Sequence, residues 1–124
     1  MKIIFLDDSL NRWRSFRSKI PSADHVETVA ECVAAIQKEA DIDWLFLDHD
    51  LGGETWVDSN REDCGMEVVR YLCANDCTSR IKNIVVHSQN ESAAKEMYLK
   101  LKDAKYNTQL VPFINLIRFI EFCD

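Results

Sequence analysis

Trp44-Leu45-Phe46-Leu47-Asp48-His49-Asp50-Leu51-Gly52-Gly53 is the stretch whose reading decides the fold. Four bulky apolar residues in succession are too few for a helix and suit a strand buried on both faces. The run then breaks into an acid, an imidazole, a second acid and two glycines. In an open α/β sheet, ligands bind just outside the carboxyl ends of the strands. Groups placed directly after a buried strand are therefore held by a rigid element and remain reachable from solvent. Asp and Gly are also ordinary turn residues, and a solvated turn is the plainer account of the same letters. The neighbouring segments favour the functional one.

Upstream, Ile3–Leu6 is a second short apolar run, closed at once by Asp7 and Asp8. From Ser9 the period becomes helical: Leu10, Trp13, Phe16 or Arg17, and Ile20 recur with Arg12, Arg14 and Lys19 between them, until Pro21 stops the helix. Residues 25–29 alternate loosely and read as another strand. Thr28 and Glu31 are spaced for a capping box ahead of a stripe of Val29, Cys32, Val33 and Ile36 that runs to about residue 40.

Downstream, residues 52–63 show no period and carry Glu54, Asp58, Arg61, Glu62 and Asp63. A polar loop of this length in a compact domain is more often functional or mobile than idle. After Gly65, the residues Met66, Val69, Leu72 and Cys73 form a helical stripe. Residues 81–86 read as a strand ending in His87-Ser88. Ser88 and Glu91 suit a capping box, with Asn90 as the alternative cap. Ala94, Met97, Leu101 and Ala104 carry the next helix. Residues 108–111 are a short last strand that Pro112 ends. Asn115 opens a final helix through Ile117, Ile120 and Phe122 or Cys123.

Five repeats of strand then helix imply parallel strands with helices on both faces of the sheet. No dinucleotide-type glycine fingerprint follows any strand. The expected fold is therefore α/β, a flavodoxin-like, receiver-like three-layer sandwich with a five-stranded parallel sheet in the order 2-1-3-4-5. Residues 1–124 form one domain, with no linker, repeat or low-complexity segment. With 47% hydrophobic and 29% charged residues the composition is that of a soluble globular chain. A net charge of -6 argues against a nucleic-acid duplex as partner but leaves room for a small phosphate ligand carried with a cation. The five cysteines are scattered and lack a C-x-x-C pair, which suits core thiols in a reducing compartment. The N-terminal apolar run is too short for a signal peptide or a membrane span, so a cytoplasmic location without membrane attachment is expected.

In that strand order the first, third and fourth strands are central neighbours. Their carboxyl ends carry Asp7-Asp8, Asp48-His49-Asp50 and His87-Ser88. Two like charges ~4 Å apart repel by ~4 kcal/mol at an effective dielectric near 20. Either some of these acids protonate or a cation joins them. A divalent ion held by Asp7, Asp8, Asp48 and Asp50 is the simplest resolution: hard oxygen ligands favour Mg²⁺, Mn²⁺ or Ca²⁺, added imidazoles would admit Mn²⁺ or Zn²⁺, and Mg²⁺ or Mn²⁺ is the expected ion. His87 has the intrinsic acidity of a general acid or base, and His49 suits metal ligation or ligand orientation. Arg12 is a candidate phosphate grip, Ser88 a candidate cap or ligand contact.

Asp7-Asp8, Asp48 and the hydroxyl after the fourth strand resemble the response-regulator receiver domain, in which an acidic pair binds a divalent ion and the third-strand Asp accepts a phosphoryl group. Receivers carry a lysine after the fifth strand; here Val111 precedes Pro112-Phe113. The set L-D-D, L-D-H-D-L-G, a later glycine and V-H-S-x-N is more similar to the cyclic-phosphate-processing receiver-like domains. The matching positions are Asp7, Asp8, Arg12, Asp48, His49, Asp50, Gly52, Gly65, His87, Ser88 and Asn90. That resemblance implies action on a small cyclic phosphate or cyclic nucleotide. The expected reading is metal-dependent hydrolysis with Asp48, His49 and His87 catalytic and Arg12, Ser88 and Asn90 binding the ligand. A phosphate-binding module without turnover and a degenerate signalling receiver are the alternatives.

Overall fold

Two strands buried almost throughout form the axis of the molecule, β1 (Ile3–Leu6) and, two strands later in the chain, Trp44–Leu47, of which only Trp44 is half-exposed. They pair in parallel with Leu6 opposite Leu47, so both end at the same level. With β2 (Asp24–Val26), β3 (Trp44–Leu47), β4 (Ile84–Val86) and β5 (Thr108–Leu110), the sheet is all parallel in the order β2-β1-β3-β4-β5. The structure, a computed structural model, describes residues 1–123, with side chains through residue 120. Phe122 and Cys123, the expected end of the last stripe, fall outside the described side chains.

Because successive strand side chains point to opposite faces, the sheet supports two cores. Ile4, Leu6, Leu45, Leu47, Ile84 and Val86 meet α2 (Val29–Lys38), α3 (Gly65–Ala74) and α4 (Glu91–Asp103) through Cys32, Ile36, Val69, Leu72, Met97 and Leu101. On the other face Phe5, Phe46 and Val85 meet α1 (Leu10–Lys19) and α5 (Phe113–Cys123) through Phe16, Leu116 and Ile120. This is the three-layer arrangement expected from the strand–helix alternation. Among the described residues, no helix is long and apolar enough to cross a membrane.

The helices start where side chains can satisfy their free amides. Ser9 Oγ accepts from the Arg12 amide, and Thr28 Oγ1 accepts from the Glu31 amide while giving its own hydrogen to the Glu31 carboxylate. Asn90, not Ser88, caps α4: its Oδ1 accepts from the Ala93 amide, and Ser88 Oγ accepts from the Asn90 amide instead. Other boundaries shift for similar reasons. β2 stops at Val26, because Thr28 is committed to capping α2. β4 begins at Ile84, with Ile81 making only an isolated bridge to Ile42. α5 begins at Phe113 instead of Asn115: the Phe113 amide donates to the His87 carbonyl, and the Pro112 carbonyl accepts from the Asn115 amide. Leu10 and Cys73, expected in apolar stripes, are exposed at the margins of theirs. Cys32, Cys64 and Cys77 are buried free thiols, as expected.

One contact fixes the height of the sheet's carboxyl edge. The amide of Gly65, the first residue of α3, donates to the carbonyl of His49 at 2.8 Å. A Cβ on Gly65 would lie 1.8 Å from the Asp48 carbonyl oxygen and 2.9 Å from the Cα of His49. Only glycine lets the helix abut the backbone at the end of β3. Gly65→Ala is expected to lower stability by at least about 1–3 kcal/mol, the usual cost of overpacking, because the obstructing atoms are backbone. Chemical denaturation checks this; an unchanged midpoint would show that α3 can retreat freely.

Candidate functional site

β1 and β3 end side by side, and the acids that follow them converge. Asp7, Asp8 and Asp48 each offer a carboxylate oxygen, and these oxygens all lie within 4.8 Å of one another. Asp7 and Asp48 are buried and Asp8 is half-buried. α1, launched directly after β1 by the Ser9 cap, swings Arg12 back over the cluster. Its Nε and Nη2 grip the two Asp7 oxygens at 2.7 and 2.9 Å, and Nη2 lies 3.4 Å from Asp48 Oδ2 and 3.9 Å from Asp8 Oδ1. The Asp7 carboxylate also accepts from the Ser9 amide. Asp8 turns to the following loop, where the Gly53 amide donates to its Oδ2.

One guanidinium does not balance three acids. Asp48 shows the consequence: burial, and then the neighbouring Asp7 charge, push its carboxyl up to about 8, against the opposing pull of Arg12. Asp50, two residues on, belongs to a different structure. Its Oδ1 accepts from His49 Nδ1 at 2.7 Å, Val57 N at 3.1 Å and Asn90 Nδ2 at 3.2 Å, and its Oδ2 accepts from Trp56 N at 2.8 Å. Burial alone would raise its pKa, but the hydrogen bonds from His49, Asn90 and the two amides hold it below the ordinary value. The expected fourth metal ligand is thus placed as the clamp of the 52–57 segment, outside the acid trio.

The histidines lie behind the crevice. His49 is fully buried, with Nδ1 2.7 Å from Asp50 Oδ1 and Nε2 2.9 Å from the Ser59 hydroxyl. His87 is 1% exposed, neither ring nitrogen has a hydrogen-bond partner, and Nδ1 stands 3.8 Å from Asp7 Oδ2. Its ring stacks on Phe5 at 4.9 Å between centroids, and burial lowers its pKa to about 4. At neutral pH it is an uncharged imidazole behind Asp7, not a wall of the crevice. Arg12, Asp48, Asp50, Ser88 and Asn90 do line that crevice, together with Asp8, Gly53, Trp56 and Gln89, around about 330 Å³.

Several residues that organise the site were not singled out by sequence patterns. His25 Nε2 meets the Asp7 carbonyl at 2.7 Å, and Arg70 donates to the carbonyls of Ser59 and Arg61, both at 2.7 Å, tying the acidic loop to α3. Arg70 sits in an ordinary helical stretch three residues after Glu67, and that spacing signals an ion pair, not a loop anchor. Val111, where a receiver has lysine, packs beside the aromatic core and hydrogen-bonds through its amide to Val86. Its side chain brings no cation to Asp48; α1 supplies Arg12 instead.

A family model described as the cyclic-phosphate processing receiver domain matches residues 2–103, and the chain belongs to that family. No curated protein matches the chain. The matched span contains every residue of the crevice and stops at the end of α4.

The buried state of Asp48 has a measurable signature. Between its unfolded pKa near 4 and its folded value of about 8, the native protein holds a proton that the unfolded chain has released. Stability therefore falls as pH rises through this window. In chelator, Asp48→Asn should match the wild type near the lower end and exceed it increasingly towards pH 8, by ~4 °C or more in Tm. Thermal melts across that range check it; a gap that closes with rising pH would contradict a neutral, buried Asp48.

Proposed function

We propose that this cyclic-phosphate processing receiver domain holds a small cyclic phosphate or cyclic nucleotide in the crevice above Asp48 and hydrolyses it with a divalent ion, Mg²⁺ or Mn²⁺. The observation that carries the reading is the charge imbalance: three carboxylates with oxygens within 4.8 Å of one another share, among the described residues, a single guanidinium. With all three ionised, the cluster keeps two negative charges in excess, which one divalent cation cancels. Hard carboxylate oxygens of this kind fit Mg²⁺ or Mn²⁺, and Asp7, Asp8 and Asp48 are the residues that would hold it. Such an ion supplies neutralisation of the phosphate charge and a water acidified towards hydroxide.

The other tasks fall to the chain's own groups. Arg12 uses Nε and Nη2 on the acids, and Nη1 remains for a phosphate oxygen at the crevice it lines. Ser88 accepts from the Asn90 amide and keeps its own hydroxyl hydrogen to donate into the same space. Asp50 and His49 hold the 52–57 segment that forms the far wall. In hydrolysis the water oxygen bonds to phosphorus, one ring P–O bond breaks, and a proton goes to the departing oxygen. The product is an open phosphomonoester.

The enclosure of His87 favours a second reading, capture of the cyclic phosphate without turnover. The imidazole expected to lend that proton is closed off from the crevice and unprotonated at neutral pH.

Saturating Mg²⁺ or Mn²⁺ should raise the wild-type Tm by mass action, and Asp8→Asn and Asp48→Asn should each blunt the rise. No rise with either ion would remove the metal from the proposal. A panel of cyclic phosphates incubated with the loaded protein should yield ring-opened monoesters. If His87 donates the proton after rearrangement of the site, His87→Ala should lower kcat by about 10²–10⁴-fold with a far smaller change in affinity. Tight binding with no product would establish the capture reading.

A further inference from the structure

We infer that Trp56 is a stacking platform for a heteroaromatic base, and that the ligand of this crevice is a cyclic mononucleotide rather than a base-free cyclic phosphate. The inference rests on the reading of the crevice as a cyclic-phosphate site.

Single exposed aromatic residues are common on protein surfaces. Trp56 differs in where it is held and how. The chain enters the segment at Leu51, 4% exposed, and leaves it at Val57, 7% exposed, so the arch between them is anchored in the core at both ends. Trp56 itself is 72% exposed. Its backbone is left-handed, with φ 54°, which for a bulky side chain is a genuine outlier of the kind that persists only when the surroundings impose it. Here they do. Asp50 takes the amides of both Trp56 and Val57, and is itself fixed by His49 and Asn90. A half-buried, four-bonded carboxylate clamp thus holds the Trp56 backbone, with the indole exposed at the mouth of the crevice that Arg12, Asp48, Ser88 and Asn90 also line.

The dimensions and charges narrow the occupant. About 330 Å³ lies at the small end of the range for ligand sites and suits one nucleotide with part of its surface open. Glu54 stands beside Trp56 on the same rim, and the chain carries a net charge of -6, both unfavourable to a longer polyanion. An indole face accepts any base, because every base has a π-face. Stacking of this kind is worth roughly 5- to 100-fold in affinity.

The test is isothermal titration of wild type, Trp56→Ala and Trp56→Phe, with Mg²⁺ present. The ligands are 2′,3′-cyclic AMP, 3′,5′-cyclic AMP and the base-free glycerol 1,2-cyclic phosphate. The wild type should bind at least one cyclic nucleotide about 5- to 100-fold more tightly than the base-free ligand. Trp56→Ala should erase that advantage with an unchanged Tm, and Trp56→Phe should restore part of it. The same nucleotide should quench wild-type indole emission, and the base-free ligand should not. Equal affinity for both ligand types, or a nucleotide advantage that survives Trp56→Ala, would overturn the platform while leaving the crevice as a phosphate site. No binding of any of the three would overturn the reading of the crevice itself, and the platform with it.

Discussion

Three carboxylates packed at the ends of two adjacent buried strands must find positive charge, and Arg12 is the arginine that reaches all three. At the separations involved, each pair of like charges repels by several kcal/mol even at an effective dielectric of about 20. The position of α1 follows from that demand. Its Ser9 cap starts the helix one residue after Asp8, and the first turn delivers the guanidinium to the Asp7 carboxylate in a bidentate grip. Below the ion pairs, Phe5 stacks on Phe16 at 4.2 Å and on His87 at 4.9 Å, and Trp13 stacks on His25 at 4.6 Å. This aromatic floor closes the cluster from beneath, so water reaches the acids from the crevice side. The low dielectric that strengthens the Arg12 contacts is also what holds the Asp48 carboxyl near 8.

The end of β3 serves two carboxylates whose environments differ sharply. Asp48 meets other acids and is driven towards its neutral form, while Asp50 collects hydrogen-bond donors from a histidine, an asparagine and two backbone amides and is held ionised. Two residues apart on one segment, one acid belongs to the acid cluster and the other to the frame of the loop. The loop has no hydrophobic period because, apart from the buried Val57, it is held by polar contacts and not by a packed face. Asp50, Ser59 through His49, and Arg70 fix it by side chain to side chain and side chain to backbone bonds.

The chain, a member of the cyclic-phosphate processing receiver family, combines a receiver-like sheet with a cation from a different quarter. β5 ends in Val111, whose side chain joins the aromatic core, and the positive group at Asp48 comes from α1. A phosphoryl group on Asp48 would therefore meet no fifth-strand lysine, which disfavours a signalling receiver and favours a site that handles phosphate on a ligand.

Local sequence determined the elements, their order and the edge at which chemistry gathers. Runs such as Trp44–Leu47 and Ile3–Leu6 are too short and too apolar to be anything but central parallel strands, and acids at their ends must then converge. Which acids actually meet was decided only in three dimensions. Asp48 and Asp50 are both polar residues after the same strand, but the pleat and the turn send one to the trio and the other to the loop. Likewise His87 could be placed at the correct edge from its position after β4, yet its burial against Phe5 depends on side chains contributed by β1 and α5. Helix boundaries shifted where a single hydrogen bond chose between neighbours, as at Asn90 over Ser88. Trp56 carried no signal at all, because a left-handed backbone imposed by a carboxylate six residues earlier has no period to read.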